Sequence, residues 1–555
     1  YVDTELATKS DTTYVDTELA TKSDTTYVDT ELATKSDSVA SIASLKTFTD
    51  AVDNRSVEVL GFYTEGDGGG GTFFWDASST ATDNGGTVIA ATGVTTGRWK
   101  RVYSGAVNVK WFGVKATESD TTTRTNNTSR VNSIVTSGFS DIHIPEGSFY
   151  FNGAWNIDGV RKLQGVSHVL TVLYNSADVD FLVRTAVLSD SSIGNLYLRY
   201  DGGSWRGFDS TAKAINMKGG GRNTLHDIQV MDYRMGIYYE DLYWLLSINR
   251  CTVWNATTAY HLDSAAGGPT TTTFTKCWAK ACINGYYIEK CSSVSLIGCA
   301  YDTATNYAEH DDVPVGFPIF TGICGTVSIY DFEFEAYGNT VWTGSIPALM
   351  YFSGHGSLAT KVLVDGFTIK NLIADLSNTV PLYVVRLFAS ASNGSYTFNR
   401  IQTASCDANG TSYLKTNFIQ NTSGVTTAVR WQDNKLSPFS GDTTTHQAGT
   451  VRHIDLDHSK TRPILLATGT DSVASGGVID TGISGDEFIG TTVQFTPART
   501  SGDYPQVITN NRDIFNNSGG IQLKVYHSNI SDGTPNYSAH VVNWALYGYQ
   551  KAKNS

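Results

Sequence analysis

Ile248-Asn249-Arg250-Cys251-Thr252-Val253 is followed by Phe274-Thr275-Lys276-Cys277-Trp278-Ala279 and then by Leu296-Ile297-Gly298-Cys299-Ala300-Tyr301. Each window reads apolar-x-x-apolar-x-apolar, and each places a cysteine at its fourth position. The same pattern extends in both directions, as Ile193–Leu198, Leu225–Val230, Ile329–Phe334, Val364–Ile369 and Phe398–Thr403. Successive windows start 32, 23, 26, 22, 33, 35 and 34 residues apart. Of the 24 positions assigned inward, 23 are apolar when Cys, Ala and Tyr are counted, and Thr403 is the exception. A β-type unit recurring at this period cannot bury its apolar side alone, but it can by stacking on its neighbours. The expected fold is therefore all-β, a right-handed parallel β-helix, with Cys251, Cys277 and Cys299 forming one interior ladder. The competing reading, a β-sandwich with irregular loops, fits the spacing less well.

Composition agrees with strands and turns. The chain of 555 residues is only 17% charged, with 53 Gly, 29 Tyr and 11 Trp, and β-branched and aromatic residues favour strands. A net charge of -13 and the lack of a basic stripe argue against nucleic-acid binding. No run of 18 apolar residues is present to span a bilayer. Seven cysteines without CxxC spacing point to buried free thiols rather than a zinc site or disulfide framework. The 11 histidines show no HExxH pairing, and there is no P-loop and no GxSxG esterase motif. Neither a cofactor nor a resident metal is expected.

Four segments follow from the pattern. Residues 1–39 carry YVDTELATKSDTT twice, and its first eleven residues a third time, which reads as a stalk shared between parallel chains or as a tether. Residues 40–108 form a small β-rich head module with tight Gly turns. Residues 109–436 are the β-helix. Residues 437–555, opening on the linker-like Ser437-Pro438-Phe439-Ser440-Gly441, alternate as a C-terminal β-sandwich does. The start at Tyr1, with neither Met nor signal peptide, reads as a chain whose natural N-terminus has been removed.

Residues between the inward ones lie on the outer side of the same sheet. Coil by coil, the outward pairs are Tyr197/Arg199, Gln229/Met231, Thr252/Trp254, Trp278/Lys280, Ala300/Asp302, Glu333/Glu335, Thr368/Lys370 and Gln402/Ala404. Aromatics, carboxylates and lysines concentrate in the middle. Indole and phenol faces cover sugar rings at low entropy cost, and glycoside hydrolysis uses two carboxyl groups. Asp302 and Glu335 fall on adjacent coils, about 4.8 Å apart by backbone spacing. Glu333 and Glu335 are two apart on one strand, about 6.5–7 Å. Mutual repulsion among three such carboxylates is expected to raise one pKa. Glu335 is assigned as acid, Asp302 as base or nucleophile, and Glu333 as third member or alternate. Trp254, Trp278 and Tyr197 are assigned as sugar platforms, and Lys280, Lys370 and Arg199 as holders of sugar carboxylates. The plainer readings are surface charge, a structural cation, or aromatics covered by a long turn. Tyr239-Glu240-Asp241 and Glu309-His310-Asp311-Asp312 are weaker candidates, placed in turns.

One stretch carries a family resemblance. Val109-Lys110-Trp111-Phe112-Gly113-Val114, a polar stretch and Ile142-His143-Ile144-Pro145-Glu146-Gly147-Ser148-Phe149-Tyr150 resemble the entry of the pectate-lyase-like bacteriophage tailspikes. The preceding Gly68–Ile89 run, GGGGTFFWDASSTATDNGGTVI, resembles the head module that precedes this entry in phage capsule depolymerases. The resemblance covers about residues 57–150 directly. It departs at Lys115–Thr121, where the family's acidic loop is absent. It implies a homotrimer on the virion tail, attached through the missing N-terminal region. It also implies binding and cutting of a bacterial capsular polysaccharide or exopolysaccharide, with acidic pairs on neighbouring coils. Three functions remain open: endoglycosidase, polysaccharide lyase with Lys280 as base, and non-enzymatic adhesin.

Overall fold

The bend inside each window decides the architecture. A continuous strand would send positions 1, 3 and 5 to one side, yet positions 1, 4 and 6 are the apolar ones. In the computed structural model of the chain, the third position of all eight windows is left-handed: Asn195, Asp227, Arg250, Lys276, Gly298, Asp331, Gly366 and Arg400 have φ between 49° and 84°. This single αL residue turns the chain and resets the alternation, so one window spans two sheets meeting at a corner. The structure describes residues 37–48, 51–203, 211–263, 269–303, 315–336, 348–353, 360–370, 382–387 and 394–404, with strand backbones only beyond residue 402. The repeats of residues 1–36 and the Ser437–Gly441 segment lie outside the described residues.

The chain divides into two compact units. One takes the described residues up to Cys324, with Glu335–Ala336 and Ala348–Tyr351. The other takes Gly325–Phe334 and the described residues from Phe352 onward.

The first unit opens with the head sheet. Its strands Ser56–Val59, Gly71–Asp76, Arg98–Arg101 and Val88–Ala90 are antiparallel neighbours. Asp37–Val39, expected to end the stalk, instead adds a parallel edge strand to this sheet. Val57, Phe73, Trp75, Ile89 and Trp99 form its core. The glycine run has a structural reason. Arg101 is buried, donates to the carbonyls of Gly69, Gly70 and Gly86, and lies over Phe73 and Trp111. A Cβ at Gly71 would stand 2.6 Å from its Nη1. Burial lowers the Arg101 pKa to about 10.

The helix Thr121–Thr136 begins at Asp120, whose carboxylate accepts from the Thr123 amide at 3.0 Å. Val131 and Ile134 are buried against the first coil, so the helix closes an end that stacked coils leave open. Asn127 joins it to the coil through Lys115 and the Tyr150 carbonyl.

Three parallel faces then rise coil by coil. The first face stacks Ile142, Leu163, Ile193, Leu225, Ile248, Phe274 and Leu296 in register. The second stacks Phe149, Leu173, Leu198, Val230, Val253, Ala279 and Tyr301. The third stacks Trp155, Leu182, Ile215, Ile237, Tyr260 and Tyr286. Every one of these residues is buried. The sequence register is thus the register of this unit, and the expected β-helix is present. Cys251, Cys277 and Cys299 are buried free thiols at the bend between the first two faces, and burial pushes the Cys277 and Cys299 thiols up. Tyr260 and Tyr286 stack 4.9 Å apart beneath them and donate to the Cys251 and Cys277 carbonyls. Outside the bend, Arg250 grips Asp227 through two contacts of 2.7 and 2.6 Å, which lowers the Asp227 pKa to about 2.

In the second unit, Lys361–Lys370 pairs with Ser395–Ala404, placing Val364, Phe367 and Ile369 opposite Phe398, Ile401 and Thr403. Parallel pairing continues through Thr427–Gln432 to Val451–Leu456, past the expected end at 436. Two three-stranded antiparallel sheets follow. One joins Ile464–Val473, His540–Gln550 and Phe488–Pro497; the other joins Val478–Ser484, Gly520–Lys524 and Ile514–Asn517.

Candidate functional site

On the second face, outward residues follow from the inward register. Arg199 faces Met231, Met231 faces Trp254, Trp254 faces Lys280, and Lys280 faces Asp302. The Thr303 amide donates to the Glu335 carbonyl at 3.0 Å, so Glu335 takes the place on the coil after Asp302. These expected site residues of the first unit therefore form one ascending column, spaced by strand separation.

Trp254 and Lys280 of this column form a compact cluster with Trp278 of the neighbouring outward column. Lys280 Nζ lies 5.0 Å from the ring centroids of both Trp254 and Trp278, a distance at which ammonium and indole attract. Both indole N–H groups are buried without a hydrogen-bond partner among the described residues. Lys280 and Trp278 thus stand one coil below Asp302, and Trp254 two coils below it.

The remaining residues are engaged differently from the expectation. Asp302 is only 2% exposed, although its strand position faces outward. A carboxyl this buried is held by hydrogen bonds rather than by open solvent. Tyr197 donates to the Met231 sulfur at 3.0 Å, and burial pushes its pKa up to about 12. Arg199 Nε is 3.4 Å from the buried Asp232 carboxylate. Tyr197 and Arg199 lie two coils below Trp254 and are occupied within the protein. In the second unit, Lys370 Nζ is 2.5 Å from Glu333 Oε2. Two residues expected to meet sugar hold each other instead, in a half-exposed ion pair of modest worth, about 0–1 kcal/mol.

Glu240, placed in a turn from sequence, sits in the strand Met235–Trp244 on the third face; Asp241 beside it is left-handed, φ 71°. Glu309–Asp312 lies outside the described residues. The third face also carries residues that the windows miss. Tyr238, His261, Tyr287 and Phe320 run along its outer side. A signal for the first three was present. Tyr238-Tyr239-Glu240, His261-Leu262-Asp263 and Tyr287-Ile288-Glu289 repeat aromatic-apolar-acid at intervals of 23 and 26 residues, the intervals of the windows themselves.

Among the described residues no group of His, Cys, Asp and Glu could hold a metal ion, and no helix is long and apolar enough to cross a membrane.

Comparison with known proteins follows the same division. Residues 38–104 match the phage tail protein small four-stranded β-sheet domain, which coincides with the head sheet. The fold resembles the gp42 tailspike of Acinetobacter phage vb_AbaP_AS12, with TM-score 0.53 and 12% identity over 94% of this chain and 95% of that one. It also resembles the enzymatically active domain of tailspike protein 2 of bacteriophage CBA120, with TM-score 0.53 and 12% identity over 98% of this chain and 89% of that one. The chain thus joins a head sheet similar to that phage tail-protein domain to a parallel β-helix similar in fold to these tailspikes.

Proposed function

We propose that this chain is a virion tailspike that binds a bacterial capsular polysaccharide or exopolysaccharide and hydrolyses it within the chain. The observation that carries the reading is the Trp254–Trp278–Lys280 cluster on the two coils below Asp302, with Trp254 and Lys280 in the column of Asp302 and Trp278 in the column beside it. Rings stack on the indoles, the ammonium takes a hydroxyl or carboxylate of the sugar, and the next coils supply two carboxyl groups. Glu335 protonates the leaving oxygen, and Asp302 acts as base or nucleophile. Glu333, in the second unit and tied to Lys370, is given no step in this reaction. The enzymatically active neighbour of the same fold supports an enzyme over an adhesin.

The test is product chemistry on capsule purified from a susceptible strain. Hydrolysis is expected to release reducing ends with no absorbance growing near 235 nm. Absorbance at that wavelength would mean a new double bond and a lyase, with Lys280 as the base. Neither signal, with capsule still bound, would leave an adhesin.

The same reading includes a homotrimer, and the first face supports it. From Ser192 up to Ile297 its outer columns are Ser192, Thr224, Ser247, Thr273 and Ser295, with Gly194, His226, Asn249, Thr275 and Ile297 beside them, while the two coils below carry Asp141 and Lys162 in the same column. No carboxylate, lysine or arginine stands among these ten. Identical chains packed around a threefold axis bring equivalent residues together, so a charged face would repel itself while a hydroxyl face does not. Light scattering on the intact chain is expected to give the mass of three copies. Ser247→Arg is expected to shift that mass toward one copy, and an unchanged trimer would move the interface to another face.

A further inference from the structure

We infer that the third face is a second, independent glycan-binding groove, built for a neutral or amino-bearing sugar chain rather than an acidic one. It rests on three repeated triplets. In each, the middle residue points inward and is buried, as Tyr239, Leu262 and Ile288 are. The flanking aromatic and acidic residues therefore point outward, and the strands hold them in register: Tyr238 faces His261, and His261 faces Tyr287.

The aromatic column is continuous, with Tyr238 at 8% exposure and the His261 side chain at 12% closing its lower end and Tyr287 and Phe320 more open above. Tyr238 and His261 meet edge-on at 5.2 Å and 82°, and His261 and Tyr287 at 5.1 Å and 88°. Tyr287 then stacks on Phe320 at 4.6 Å and 14°. Sugars present apolar C–H faces to such surfaces. Alongside runs an acidic column of Glu240, Asp263 and Glu289. Tyr238 Oη donates to Asp263 at 2.9 Å and stands 3.4 Å from Glu240, so two carboxylates converge on one phenol. His261 Nε2 meets Glu289 Oε1 at 2.9 Å. The Glu289 side chain is 42% exposed. Ionised carboxylates only accept hydrogen bonds, and sugar hydroxyls and ammonium groups donate them.

Charge selects the occupant. Lys218 opposes Glu240 in register, and Lys213, which lies over Tyr238, is shared with Asp180. Three carboxylates against this supply repel a uronate chain and attract an amino sugar. The same charge argues against a second copy of the chain on this face, since symmetry would bring acidic columns together. The groove stands whether or not the second face cleaves.

The test is binding of the intact protein to an array of defined oligosaccharides: neutral hexose, N-acetylhexosamine, free hexosamine and uronate chains. Wild type is expected to hold neutral or amino sugars and to leave uronates. Tyr287→Ala is expected to lower that binding about tenfold, equal to about 1.4 kcal/mol. Glu289→Gln, at a half-exposed position where folding is not at risk, is expected to lower it in the same direction. Trp278→Ala, which removes a sugar platform of the proposed hydrolytic column, is expected to keep it, which separates this groove from that column. Unchanged binding in folded Tyr287→Ala and Glu289→Gln, a preference for uronates, or no retention of any glycan by wild type would each overturn the inference.

Discussion

Glu335→Gln in the intact chain is expected to cut the rate of reducing-end release from capsule at least 100-fold. The chain should still fold and still bind the polysaccharide. A positioned acid or base contributes about 10²–10⁴-fold to such a reaction, and the amide keeps the shape of the side chain while removing its proton. Asp302→Asn is expected to match it, because both carboxyl groups act in one step. The buried position of Asp302 makes the asparagine variant the right one. Alanine would leave its buried partners unsatisfied and cost about 1–3 kcal/mol of stability, which would confuse lost chemistry with lost structure. Glu333→Gln should do less, since it removes one side of a half-exposed pair with Lys370. The measurement is initial rate on purified capsule, with thermal unfolding followed alongside. Rates within about twofold of wild type in both Glu335→Gln and Asp302→Asn, set against that ≥100-fold expectation, would remove these residues from the reaction.

The same two residues mark the boundary of what the chain reveals before folding. Their column position was legible, because a parallel solenoid copies its register from coil to coil and the inward residues announce it. Ile248, Phe274 and Leu296 are neighbours in the sheet because their windows align. The burial of Asp302 was not legible. Strand alternation says which side a residue faces but not what passes over it. Equally hidden was the bend. Asn195, Asp227, Arg250, Lys276 and Gly298 share no chemistry, only a left-handed backbone. None of them is β-branched, as that conformation requires, but an exclusion of that kind leaves little trace in five residues. Arg199 is free for substrate in the sequence reading because sequence does not show that Asp232, on the next coil up, is buried within reach of its guanidinium. The third-face triplets were legible in principle. They lie 13 residues after the starts of their windows, outside a pattern defined by apolar positions.

Phe274→Ala is expected to be the most damaging single change in the core, costing about 3–5 kcal/mol. Phe274 is fully buried and sits in register between Ile248 below and Leu296 above. Its ring meets Tyr260 at 5.5 Å and 72° and Tyr286 at 5.5 Å and 88°. Truncation opens a cavity between two tyrosines that cannot simply move in, because each is fixed at its far end. Tyr260 donates to the carbonyls of Cys251 and Trp278, and Tyr286 to those of Cys277 and Ala300. Those hydroxyls anchor the bends that present Trp254 and Trp278, so the damage should reach function too. A solenoid is stabilised by nearest-neighbour contacts, and one weakened coil is a place where the stack opens. Denaturant unfolding should show a lower midpoint for Phe274→Ala, and Ile248→Val, one coil below, should cost only about 0.5–1.5 kcal/mol. Binding to capsule should fall in Phe274→Ala even under conditions where most of the chain stays folded. A loss below about 1 kcal/mol, well under the range for a buried Phe, would mean that the ring is not packed as described and that the three faces do not share one continuous core at this coil.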